Sequence, residues 1–249
     1  MLVPKEISRT AVLSEIPLPP RGETYAVLPT AVSSKNFYRL SSSNLYARNE
    51  RVRLTYDAIK PILDFSVAIA LLIALLPLFL AVAVAIKLTS SGPVILKQKR
   101  LTKDGQVFIM YKFRTMRNDA ERNTGAVWAS EHDPRITPLG KYLRNFRLDE
   151  LPQLLNVIFG DMSLIGPRPE RPELACQIAE KIPEFYRRLE VKAGITGLAQ
   201  VAHRYASSLD DYQTKMFYDI NYVNNRSFLL DLLIAAKTLR VVITGAGAR

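Results

Sequence analysis

Cysteine occurs once in the 249 residues, at Cys176, and histidine twice, at His132 and His203. A lone thiol can neither close an internal disulfide nor build a zinc cluster, so the chain suits a reducing compartment, with Cys176 expected as a small buried residue. The two histidines stand at no metal-ligand spacing and read as surface or packing residues. There is no Gly-x-x-x-x-Gly-Lys-Ser/Thr sequence and no Gly-x-Gly-x-x-Gly after a strand, which argues against a nucleotide-hydrolysing motor or a dinucleotide oxidoreductase. Repeats of solenoid period and low-complexity tracts are missing too. Residues 1–50 hold no apolar run long enough for a signal peptide, but scattered prolines and Ser41-Ser42-Ser43. They are expected to form a flexible leader, with the fold starting near Arg51.

Acids are outnumbered: 23 Asp and Glu face 34 Lys and Arg, a formal charge of +11. Such a balance suits a phosphate-rich partner, whether nucleic acid, anionic lipid or phosphorylated substrate. Yet charge is wholly missing from Phe65 to Ile86, a run of 22 residues. That length suits a membrane helix. Pro77 interrupts it and predicts a kink or break, leaving arms of about 18 Å and 14 Å, each short of a bilayer core of about 30 Å. Arg51, Arg53 and Lys60 precede the run, and Lys87, Lys97, Lys99 and Arg100 follow it. A straight span would export one basic cluster, whereas a re-entrant hairpin keeps both on the cytoplasmic side. At this level both arrangements stay open, with residues 51–90 as the membrane-embedded unit and 91–249 as a cytoplasmic domain.

Within that domain, Val94–Arg100 and Gln106–Phe113 flank Lys103-Asp104-Gly105 and predict a β-hairpin. Alternation would set Lys112 and Arg114 on one face, either to meet phosphate or as a solvated edge. Helical spacing follows at Pro138–Arg147, Leu151–Phe159, Pro172–Leu189 with a kink at Pro183, Leu209–Tyr222 and Phe228–Thr244. The fold class expected is α+β, mainly helical. In the last helix Leu229, Leu232, Leu233, Ala236 and Leu239 form one stripe, with Arg240 on that face and Lys237 at its edge, open to an interfacial or a core-packing role.

Two adjacent carboxylates, Asp149 and Glu150, precede a helix that Pro152 helps to start. Acids there serve the helix dipole in the plainest reading; functionally, adjacent side chains diverge and can divide two tasks, one attacking while the other holds a cation. In Gly160-Asp-Met-Ser-Leu-Ile-Gly-Pro-Arg-Pro169, Arg168 lies between two prolines, and its fork of donors suits a diphosphate. Solvated Arg168 and Arg171 on a rigid turn are the alternative. Gly194-Ile-Thr-Gly197 marks a further tight turn.

Jointly and in order, several segments resemble the bacterial sugar transferase family, the monotopic phosphoglycosyl transferases, over about residues 55 to 245. They are the proline-broken apolar run, Lys112-Phe-Arg-Thr-Met116, Asp133-Pro-Arg-Ile-Thr137, Leu148-Asp-Glu-Leu-Pro-Gln153, Gly160 through Pro169, Gly194-Ile-Thr-Gly-Leu-Ala-Gln200, and Tyr218-Asp219 before Tyr222-Val223. The resemblance, closest to the family's short form, implies a re-entrant helix broken at Pro77 and a two-step transfer at the cytoplasmic face of the bacterial inner membrane. A sugar 1-phosphate, of a hexose, would pass from a UDP-sugar to undecaprenyl phosphate, starting exopolysaccharide or related glycan assembly. By the same resemblance Asp149 is the nucleophile, Glu150 holds Mg²⁺, Arg144 and Arg168 brace phosphate or the active-site carboxylates, and Asp219 is a functional acid; with Lys112 of the strand face, Arg144, Arg168 and Asp219 are the candidates for substrate binding. A homo-oligomer and other glycan-assembly enzymes are compatible partners; nucleic acid is not expected.

Two positions depart from the family pattern: Arg147 stands where serine or threonine is usual, and Ala193 where proline is. Arg147 places an added charge beside Asp149. The competing readings are a membrane-anchored basic protein that binds anionic lipid or nucleic acid, and a direct transferase in which Asp149 acts as a base.

Overall fold

The structure, a computed structural model, describes residues 50–120, 133–202 and 209–244. The expected leader, apart from Glu50, and both histidines lie outside the described residues. Helix α1 (Glu50–Ala74) runs through Pro61 and ends just before α2 (Leu76–Thr89). Pro77 occupies the first turn of α2, where a missing N–H costs no hydrogen bond. The break thus falls two residues before the proline. Among the described residues no single helix is long and apolar enough to cross a bilayer, but α1 from Arg53 and α2 together pass that test as a pair bent by 63°.

Both arms return to the same body. Ala68 of α1 packs with Phe108, Met110, Leu154 and Val157, while Val82 and Ile86 of α2 pack with Phe113 and Leu143. Around the bend Leu71, Ile73, Leu76, Leu78 and Leu80 are exposed. Nearer its start, α1 is tied down by polar contacts: Tyr56 and Lys60 donate to Asp231 (2.8 and 2.7 Å), and the Ser163 hydroxyl donates to Asp64 at 2.6 Å.

Strands β1 (Ile95–Leu101) and β2 (Val107–Phe113) form the expected antiparallel hairpin, in register Leu101 with Val107. Asp104 and Gly105 take positive φ (57° and 71°), as a type I′ turn requires. Helix α3 (Pro138–Asn145), capped by the Thr137 hydroxyl, precedes a 3-10 turn (Leu148–Glu150) and α4 (Gln153–Ile158). Helix α5 (Pro172–Lys181) gives way to a 3-10 helix starting at Pro183, where the kink was expected. Cys176 corrects its expectation: it is exposed, because Ala175 and Ile178 turn the other side of α5 into the core.

A short parallel pair, β3 (Ser163–Ile165) with β4 (Gly194–Thr196), was not foreseen. Its glycines are demanded by close approach, since a Cβ on Gly194 would lie 2.1 Å from the Gly166 nitrogen and one on Gly197 2.1 Å from the Gly166 oxygen. Helices α6 (Leu198–Ala202), α7 (Leu209–Asn225) and α8 (Phe228–Thr244) complete the body. In α8 Leu230 and Ile234 are buried, whereas Leu229, Leu232, Leu233 and Leu239 of the predicted stripe are exposed. Core packing is thereby excluded for that stripe.

Candidate active site

The 3-10 turn places the two adjacent carboxylates. Arg147 enters it at φ 58°, and the Glu150 amide donates to the Arg147 carbonyl at 3.1 Å, so Asp149 and Glu150 are presented side by side yet held differently. Both are buried, at 8% and 6% exposure. On Glu150 the Oε1 atom collects three cations: Arg168 Nη2 at 2.7 Å, Lys112 Nζ at 3.4 Å and Arg147 Nη1 at 3.9 Å. Burial alone would raise its pKa, but Arg168, Lys112 and Arg147 outweigh burial and hold the carboxyl well below the usual carboxylate range. The Asp149 side chain makes no hydrogen bond or ion pair with a described residue. Burial and then the charge of Glu150 push its carboxyl up, against Lys112, Arg144 and Arg168.

The cations are themselves desolvated. Burial, joined by the repulsion of Arg168, brings Lys112 down to about 8. Arg144 is lowered by burial and anchored by donating from Nε to the Thr115 hydroxyl at 3.0 Å. Four cations thus surround two carboxylates, a surplus of two positive charges that matches a diphosphate better than either carboxylate alone. Thr115 also accepts from the Thr137 amide at 2.9 Å, and a Cβ on Gly140 would lie 2.1 Å from the Thr115 oxygen. The segments Lys112–Met116 and Asp133–Thr137 therefore lie directly against α3, which carries Arg144.

Lys112, Arg144, Asp149, Glu150 and Arg168 come together; Asp219 does not. It is 1% exposed, with Arg188 Nη2 at 2.8 Å, inside a second buried cluster that joins Arg188, Glu170 and Lys215. Between Asp219 and Arg168 the structure shows an indirect link: Arg188 Nη2 also donates to the Arg168 carbonyl at 2.7 Å. Arg114 is likewise no solvated edge; it is buried and its Nη2 donates to the Ser90 carbonyl and hydroxyl (2.9 and 2.8 Å) at the end of α2. Sequence reasoning missed Arg188, Glu170 and Lys215. The only local hint was Glu170 directly after the Pro-Arg-Pro segment.

A model of the family described as bacterial sugar transferase matches residues 55–245. The chain belongs to this family. Among its relatives, a UDP-N-acetylgalactosamine-undecaprenyl-phosphate N-acetylgalactosaminephosphotransferase of Aeromonas hydrophila is 46% identical over 194 residues, 78% of this chain and 46% of that protein. Two UDP-glucose:undecaprenyl-phosphate glucose-1-phosphate transferases follow. That of Caulobacter vibrioides is 40% identical over 195 residues, 77% of this chain and 72% of its own. That of Xanthomonas campestris pv. campestris is 38% identical over 182 residues, 72% of this chain and 37% of its own. The chain thus spans less than half of the Aeromonas and Xanthomonas proteins. As a bacterial sugar transferase, it carries the clustered carboxylates, Lys112, Arg144 and Arg168 inside the family's matched region.

Proposed function

We propose that this bacterial sugar transferase moves a sugar 1-phosphate from a UDP-hexose, or its 2-acetamido form, to undecaprenyl phosphate, releasing UMP and opening exopolysaccharide or related glycan assembly. The reading is carried by the asymmetry of the carboxylate pair: Glu150 is clamped by cations while Asp149, equally buried, has no side-chain partner among the described residues. In the first step an Asp149 carboxylate oxygen attacks the sugar-bearing phosphorus, the bond from that phosphorus to the bridging oxygen breaks, and UMP leaves with the electron pair. In the second a polyprenyl phosphate oxygen attacks the same phosphorus, the aspartyl–phosphorus bond breaks, and Asp149 is regenerated. Lys112, Arg144 and Arg168 supply the positive field in which a carboxylate can approach a diphosphate. Arg188 and Asp219 position Arg168 through its carbonyl.

Among the described residues no three His, Cys, Asp or Glu side chains gather for a metal. Mg²⁺ fits nevertheless, because it is commonly held by one or two carboxylates plus substrate phosphates. Glu150 would hold it through Oε2, its Oε1 being the atom that meets Arg168 and Lys112, and Asp149 would stay free to attack. When bound with the diphosphate, the ion neutralises phosphate charge.

The bent α1–α2 pair, with both arms packed on one body and an apolar bend, supports a re-entrant seat in the cytoplasmic leaflet of the inner membrane, with the exposed α8 stripe in the interface. The test uses full-length protein in nanodiscs with Mg²⁺, undecaprenyl phosphate and a panel of UDP-sugars. UMP release, together with a phosphosugar trapped on Asp149 by rapid quench and peptide mass spectrometry, is expected from one donor. UMP release at the wild-type rate from Asp149→Asn would sink the covalent step.

A further inference from the structure

A second cavity, of about 240 Å³, lies between α1 and the body. Lys60, Asp64 and Phe65 bound it on the α1 side, and Ile158, Lys103 and Lys192 on the other. It shares no lining residue with the carboxylate cluster. Most of its charges are already matched. Asp57 accepts two bonds from Arg226 (2.8 and 2.7 Å), Lys60 lies 2.7 Å from Asp231 and 3.4 Å from Asp64, and Glu190 lies 3.7 Å from Arg187. Lys103 and Lys192 are the exceptions: neither ammonium has a hydrogen bond or ion pair with a described residue. The Lys192 ammonium lies over Gly160, 3.8 Å from where a Cβ would stand.

We propose that this cavity seats the phosphate headgroup of an anionic membrane phospholipid, held by Lys103 and Lys192 and apart from the transfer site. The inference rests on the membrane-seated reading above. Asp64, on the cavity wall, is the last charged residue before the uncharged run; with that run seated in the bilayer the cavity lies beside the boundary between water and apolar chain, which is where a phospholipid carries its phosphate. Phe65 and Ile158 line the apolar side, along which the acyl chains would lie. A free phosphate has no use for that wall. Polyprenyl phosphate must deliver its phosphate to Asp149, which does not line this space. Because the cavity wall includes Val157 and Ile158 of α4, an occupant would brace the helix that directly follows the Asp149–Glu150 turn.

The test counts lipids retained by the full-length protein, released from nanodiscs of phosphatidylcholine and phosphatidylglycerol, by native mass spectrometry without substrate. One saturable phosphatidylglycerol is expected. The Lys103→Gln/Lys192→Gln variant should lose retention about fivefold per lysine. Lys97→Gln/Lys99→Gln, which removes the same charge from exposed positions of β1, should retain lipid as the wild type does. Equal losses in both variants would reduce the effect to diffuse surface charge and overturn the site. So would displacement of the lipid by millimolar inorganic phosphate, or preferential retention of undecaprenyl phosphate. A photoactivatable phosphatidylglycerol on unmodified protein gives an independent reading: labelling within residues 157–165 supports the cavity, and labelling confined elsewhere refutes it. Flotation of wild type and variants with phosphatidylcholine vesicles reports membrane seating, and UMP release reports transfer, so failure of either earlier reading is distinguishable from failure of this one.

Discussion

Lys112 gives the sharpest handle on the mechanism, because its charge state should control the alkaline side of the pH profile. Buried at 14% side-chain exposure and repelled by Arg168, it has an ammonium brought down to about 8 despite Glu150 at 3.4 Å. The free enzyme therefore loses this cation as pH rises through about 8, and at pH 9 about one site in ten still carries it, a fall of about tenfold in kcat/KM if the charge is needed. Bound diphosphate favours the ammonium, so the alkaline limb of kcat should lie higher than that of kcat/KM. Unfolding is not an alternative source at this group. A lysine with a depressed folded pKa destabilises the native state below it, and that penalty is relieved as pH rises from about 8 toward the unfolded value of 10.5. The assay is initial-rate UMP release from pH 6.5 to 9.5, with Lys112→Arg as the decisive variant, since a guanidinium stays charged throughout. An unchanged alkaline limb in active Lys112→Arg would refute the assignment.

Arg188→Ala removes the shared partner of Asp219, Glu170 and the Arg168 carbonyl; leaving buried carboxylates short of a cation should cost about 3–5 kcal/mol in a urea melt. In the milder Arg188→Lys variant, kcat should fall more than donor KM rises if Arg168 is mispositioned in the transition state; an unchanged kcat would reduce Arg188 to a purely structural role. Gly140→Ala drives a Cβ toward the Thr115 backbone oxygen, 2.1 Å away, and should lower the melting temperature by more than 5 °C or prevent folding. Leu232→Glu with Leu239→Glu, on the exposed α8 stripe, should leave the circular dichroism spectrum intact and weaken flotation with vesicles; unchanged flotation would remove α8 from the interface.

Much of the element order was legible because it is written locally. Asp104-Gly105 specified the hairpin turn, Pro183 the place where a helix changes course, and the spacing of Phe228–Thr244 a helix with the observed bounds. Pro77 marked the bend of the apolar run to within two residues. The adjacency of Asp149 and Glu150 was equally plain. Their opposite fates were not, because Glu150 is held by Lys112 and Arg168, separated from it by 38 and 18 residues. The exposed Cys176 and the parallel β3–β4 pair escaped for the same reason: side-chain type states a preference for burial, but the packing partner decides it.

By itself, then, the sequence determined the longer helices, the hairpin, the broken apolar segment and the nearness of two carboxylates, all set by periodicity and turn chemistry over a few residues. Tertiary structure alone decided which carboxylate is clamped and which has no partner among the described residues, that Asp219 is tied to the Arg168 carbonyl through Arg188, and that the α8 stripe is exposed. Those outcomes depend on chain segments far apart in sequence meeting where water is excluded, and there a charge must find its partners or shift its pKa.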